Sequence, residues 1–150
     1  MTNANEIALA GGLIGGALMV TIIASAAFYI LLVIALWKIF TKAGEAGWKS
    51  LIPIYNAYIL CKIMKVNFWL FVIILPIIIG IVTGVLFSNN QNATTIITAI
   101  YSLFVDIYFS IRLSKAFGKG TGFTLGLIFF PNIFTLILGF GSSKYVGIKD

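Results

Sequence analysis

One stretch constrains this chain more than any other: residues Ile7 to Phe40, 34 positions whose only charge is Lys38. As a helix rising 1.5 Å per residue it is about 50 Å long, against a bilayer hydrocarbon thickness of about 30 Å. One end must therefore project or tilt. Gly11, Gly12, Gly15 and Gly16 lie near its start and Lys38 and Lys42 at its end, so the expected span is residues 13–37. Ala24-Ser25-Ala26 imitates a signal-peptide cleavage site, but only Glu6 precedes the run and no basic n-region exists. The segment is expected to remain an uncleaved helix.

The rest of the chain has the same character. With 61% hydrophobic and 9% charged residues and a mean hydropathy of +1.10, the composition excludes a soluble globular domain. The net charge of +6 is spread between long apolar runs and forms no groove-sized patch, so no nucleic acid is expected as a partner. One cysteine, Cys61, and no histidine permit no internal disulfide and none of the usual zinc or haem ligand sets. No metal and no cofactor are expected.

Further spans are expected at about 66–87, 96–113 and 123–140, with an interfacial or re-entrant segment at about 48–64. In that segment Trp48 and Tyr55 would lie at headgroup level, with Lys62 and Lys65 reaching water. Pro76 predicts a kink whose freed carbonyl is met by a neighbour. The uncharged stretch 88–94, SNNQNAT, reads as a short loop in water, and its glycosylation sequon at Asn92 reads as chance. A faint internal echo links a glycine elbow followed by Leu51-Ile52-Pro53 and Asn56 with a second elbow followed by Phe129-Phe130-Pro131 and Asn132.

Lys38, Lys42, Lys49, Lys62, Lys65, Arg112, Lys115 and Lys119 fall on one side when the first three runs span, which makes that side cytoplasmic and puts the N-terminus outside. Four spans are the preferred reading of the last run, although they place Lys144 and Lys149 outside, against the charge rule. A re-entrant turn at Pro131-Asn132 would return both to the inside.

Asp106 sits in the middle of the third run. Stepping by four gives Thr94, Thr98, Ser102, Asp106, Ser110 and Ser114, all small or polar. The line drifts about 40° per step on a helix of 3.6 residues per turn, so it forms an inclined ridge. An ionised Asp at a membrane helix centre costs about 2.5–3.5 kcal/mol on insertion scales, so Asp106 is expected to point inward. Arg112 is about 120° around the helix and is expected to turn toward headgroups with Lys115 and Lys119. Neutral partners are then Asn132, Thr83, Tyr101 or Tyr58. Two roles stay open: interhelical glue, or an ion or proton site made by Asp106, Thr98, Ser102, Ser110 and Asn132. Ala8-Gly12-Gly16 and Gly11-Gly15 form overlapping GxxxG patterns that favour close helix packing, within the chain or between copies.

No enzyme is expected. Ser114-Lys115, Ser143-Lys144 and Lys49-Ser50 are sequence neighbours and cannot face one another on a helix. A paired-aspartate intramembrane protease needs two membrane carboxylates, and without histidine no Ser-His site can form.

The elbow KAGEAGWKS with IPIYN, then FGKGTGF, GLIFFP and LGFGSSKY, resemble a family of small bacterial membrane proteins catalogued as a domain of unknown function and sometimes loosely labelled signal-peptidase-like. The resemblance runs from the basic end of the first helix to the C-terminus. It implies a bacterial or archaeal inner-membrane protein of several helices and supplies no catalytic residues. The expected protein is thus all-α and integral to the membrane, with three to four transmembrane helices plus a short interfacial or re-entrant helix. Its expected partners are the lipid bilayer and either further copies of itself or another membrane protein. A scaffold, accessory or self-assembling subunit of the inner membrane is the leading function, and a small cation or proton channel or transporter subunit is the alternative.

Overall fold

The computed structural model describes residues 3–148, apart from the side chains of Asn5, Ile7 and Ala8. Ala8 of the GxxxG pattern, beyond its backbone, and Lys149 therefore lie outside the described residues. The chain is helical throughout: α1 (Ala4–Lys42), a 3₁₀ turn (Gly47–Leu51), α2 (Pro53–Ile63), a π-helical segment (Trp69–Ile74) running into α3 (Leu75–Leu86), α4 (Gln91–Ala116), α5 (Thr121–Phe129) and α6 (Pro131–Phe140). Three of these helical stretches are long and apolar enough to cross a membrane, Leu9–Lys42, Trp69–Leu86 and Gln91–Ala116, which suggests a membrane protein.

The helices stop where the elbows were expected, and by one device. After α1, Gly44 (φ 80) lets Glu45 N–H reach Phe40 O and Gly44 N–H reach Thr41 O; after α4, Gly118 (φ 62) does the same with Lys119 to Ser114 O and Gly118 to Lys115 O. This is the paired 6→1 and 5→2 bonding that ends a helix on a left-handed residue. It recurs after α2 with Lys65 (φ 50) in the glycine position, Val66 N–H bonding Cys61 O.

The last apolar run does not cross as one helix. It breaks at Phe130, whose φ of −136° leaves the helical region just before Pro131, the first residue of α6. α5 and α6, about 14 and 15 Å long, then fold back on each other. Phe123 packs edge-on against Phe134 with ring centres 5.1 Å apart, and the Phe134 ring occupies the place a side chain on Gly126 would need. Both feet of this hairpin stand at the basic end. Ser114 Oγ of α4 donates to Lys119 O and Gly120 O, and Lys42 Nζ of α1 donates to Leu138 O and Gly141 O, 2.7 Å each. The preferred four-span reading is thereby corrected: three helices have the length to cross, and Lys144 lies at the same end as Lys42.

The packed core also sits at that end. Ile39 and Phe40 of α1, Ile59 and Ile63 of α2, Ala116 and Phe117 at the end of α4, Leu138 of α6 and Ile148 form one buried cluster. α2 therefore helps fill the core. Pro53 begins it, with Ile52 extended before it. Pro53 and Pro131 each open a helix, and Asn56 N–H to Ile52 O matches Phe134 N–H to Phe130 O, so the sequence echo is a shared helix-start device. The C-terminal segment closes the core: Tyr145 Oη donates to Ile63 O, and Val146 and Gly147 N–H both donate to Ala116 O.

Candidate functional site

α4 begins at Gln91, so four residues of the stretch expected to be a loop, 91–94, are helical. Asn90 caps it, its Oδ1 accepting from Ala93 N–H at 3.1 Å, and Asn92 of the sequon lies in the first helical turn. Down the ridge, the two ends differ. Ser114 and Ser110 are buried; Asp106, Ser102 and Thr98 are exposed and Thr94 is half-buried. Asp106 does not point into the chain's own packing, contrary to the expectation. The α5–α6 hairpin beside the basic half of α4 reaches about 15 Å, and Asp106 lies ten residues, about 15 Å, above Ala116. Cover ends where the carboxylate begins.

Asp106 makes no hydrogen bond or ion pair with the described residues. Thr98 Oγ1 turns back to Thr94 O and Ser102 Oγ to Ala99 O, 2.9 Å each. The neutral partners named for Asp106 are engaged or placed elsewhere. Thr83 Oγ1 donates to Ile79 O, the Tyr58 ring packs on Phe68, and Asn132 is exposed in the first turn of α6. Tyr101 Oη donates to Phe71 O at 2.7 Å, and this bond answers the Pro76 expectation. In the π segment Leu75 N–H bonds Leu70 O, one residue further back than in an α-helix. The next donor in that pattern would be Pro76, which has no N–H, so Phe71 O is left for the hydroxyl of the facing helix.

The basic residues divide. Lys49 and Lys62 both pair with Glu45, at 2.8 and 2.6 Å, and these hydrogen bonds, Lys49 first, hold its carboxyl below the usual carboxylate range. Arg112 donates through Nε and a terminal nitrogen to Tyr108 Oη, 3.2 and 3.0 Å. Lys38 stands over the Phe140 ring at 4.5 Å and Lys119 over the Phe123 ring at 5.8 Å. Lys115 is exposed at the end of α4.

The glycines expected to pack do not pack within the chain: a side chain at Gly11, Gly12, Gly15 or Gly16 would meet nothing within 4 Å. The close crossing lies elsewhere. A Cβ on Gly139 of α6 would fall 2.6 Å from Ala35 O and 2.7 Å from Ala35 Cα of α1. Two isolated small residues in different helices carry no local motif, so this pair is silent in the sequence. Also missed was Asn56 of IPIYN, whose buried Oδ1 has no hydrogen-bond partner among the described residues while its Nδ2 lies 3.5 Å from Ser50 O.

No curated protein and no solved structure matched the chain when compared with it. A protein-family model, that of DUF5684, a family of unknown function, matches residues 48–148. That region runs from the 3₁₀ turn to the end of the core, with α1 preceding it. The second elbow and the hairpin lie inside it, while Lys42, Gly44 and Glu45 of the first elbow precede it, and the chain belongs to this family of unknown function.

Proposed function

We propose that the chain is a non-enzymatic, self-assembling subunit of the inner membrane that associates through the exposed polar face of α4. The observation that carries this reading is Asp106, exposed near the middle of a helix fit to span, with Ser102 and Thr98 above it on the same face. A carboxyl group facing hydrocarbon is costly, and the small hydroxyl residues beside it suit close helix approach. A second copy would cover that face. The open glycines of α1 offer a second seam of the same kind. Placement of Lys42, Lys119 and Lys144 at one end supports a cytoplasmic basic end with the N-terminus outside.

The test is oxidative cross-linking in native membranes. Ser102→Cys is expected to give a covalent dimer and Ile100→Cys, about 200° away around the helix, none. Asp106→Leu in the Ser102→Cys background should lower dimer yield at least tenfold while insertion is retained. Absence of dimer from Ser102→Cys, or equal yields from both positions, would overturn the proposal. A conduction path through Asp106 would have to form between copies, because in one chain this residue lies on the outer surface. Cation or proton flux in proteoliposomes that Asp106→Asn abolishes, with dimers intact, would convert the seam into a path.

A further inference from the structure

The basic end is unevenly neutralised. Among the described residues the acidic side chains are Glu6, Glu45 and Asp106. Glu45 is engaged by Lys49 and Lys62, Asp106 lies at membrane depth and Glu6 at the far end of α1. On the other side of the basic end, Lys38 and Lys119 lie close enough to Lys42 to repel its charge, and none of the three is paired with an acid among the described residues. Beside them is a cleft of about 500 Å³ lined by Lys42, Gly141, Ser142, Ser143, Lys144 and Tyr145.

The chemistry of that lining is specific. An ammonium has three N–H donors, and Lys42 uses two on Leu138 O and Gly141 O. The group is thus held at the cleft wall with one donor left. Its charge also offsets the negative C-terminal end of α6, which would otherwise repel an anion. The hydroxyls of Ser142 and Ser143 have no partner among the described residues, and Lys144 is exposed at the rim. Two ammonium groups and two hydroxyls, all able to donate, converge where a membrane protein's polar end meets lipid headgroups.

We propose that this cleft binds the phosphate of an anionic lipid headgroup, held by Lys42, Ser142, Ser143 and Lys144. The generic attraction of lysines to a negative membrane surface would act equally through Lys49 and Lys62. The proposed site is local and uses hydroxyls.

The experiment uses the full-length protein in detergent micelles doped with phosphatidylglycerol, phosphatidylcholine or neither, with inorganic phosphate as a separate arm, read as thermal stabilisation and bound lipid by native mass spectrometry. Phosphatidylglycerol is expected to bind at least fivefold more tightly than phosphatidylcholine. Lys144→Gln and the double change Ser142→Ala with Ser143→Ala should each remove at least that preference, with unliganded melting unchanged, while Lys49→Gln alters it less than twofold. Stabilisation by inorganic phosphate that Lys144→Gln removes would keep the phosphate site and assign it a soluble source. Equal binding of the two lipids without a phosphate effect, no loss in the Lys144 and serine variants, or an equal loss in Lys49→Gln would overturn the proposal. Because the cleft is far from Asp106, dimer yield from Ser102→Cys does not enter the result.

Discussion

The two ends of this molecule obey different rules. At the basic end, helices meet through side chains that vanish from the surface: Phe40, Ile39, Ile59 and Leu138 are almost completely buried. At the other end, residues 9–31 of α1 are exposed at every position, and α3 touches α4 along a single seam. The basic end is organised as a small globular core, with caps, a salt-bridged elbow and a charged clamp. The far half consists of apolar helices whose natural neighbours are lipid or other helices. Apolar exposure on that scale suits a lipid solvent, which supplies no hydrophobic drive to pack helices together.

The largest effect should come from setting equivalent changes against each other across that divide. Gly139→Val would drive carbons into the Ala35 backbone and is expected to cost about 3 kcal/mol, read as a fall in melting temperature in detergent. Gly12→Val, in open space, should leave melting unchanged; comparable losses would show that the far half also packs within the chain.

Next comes the seam between α3 and α4. Tyr101→Phe removes the donor to Phe71 O and should cost about 0.6–1.7 kcal/mol, the range measured for hydrogen bonds between membrane helices. Pro76→Ala restores a backbone donor near that carbonyl, so in its background Tyr101→Phe should cost less than half as much. Equal costs in both backgrounds would detach the hydroxyl from the proline.

A smaller, sharper probe is Cys61. Burial in α2 pushes its thiol up to about 11, so at pH 7 the folded protein is expected to resist maleimide while the denatured protein reacts fully. Rapid labelling under native conditions would show that the basic end opens.

The smallest effect belongs to Glu45. Its carboxyl is held below the ordinary value when folded, so the stability it adds is fully present above the unfolded value, about 4.3, and is lost as pH falls through the lowered folded value. Because Glu45 is near the surface, Glu45→Gln should lower the melting temperature by only about 1–2 °C at pH 7, and the difference from the native protein should shrink as the pH falls through the lowered folded value.

The long apolar helices were legible because length and composition report on them directly: the expected stretch 66–87 and the helical stretch Trp69–Leu86 differ by a few residues. The hairpin was not, because an apolar run of 18 residues satisfies a thin span and a folded-back pair equally, and only contacts with Lys42 and Ser114 separate them. Asp106 was legible as an anomaly and its ridge as a pattern. Its exposure was not, because it depends on where α5 stops. The density of glycines in α1 drew attention to the wrong crossing, since Ala35 and Gly139 lie about a hundred positions apart.

The hairpin also carries a consequence for how the chain is made. A helix of nine or ten residues is too short to be integrated as a crossing segment. Lys42, which fastens the returning helix of the hairpin at Leu138 and Gly141, is synthesised 96 and 99 residues earlier. Its seat in α1 is therefore in place before the hairpin leaves the ribosome. Assembly has a direction: the long helices are made first, and α5 and α6 then pack against them.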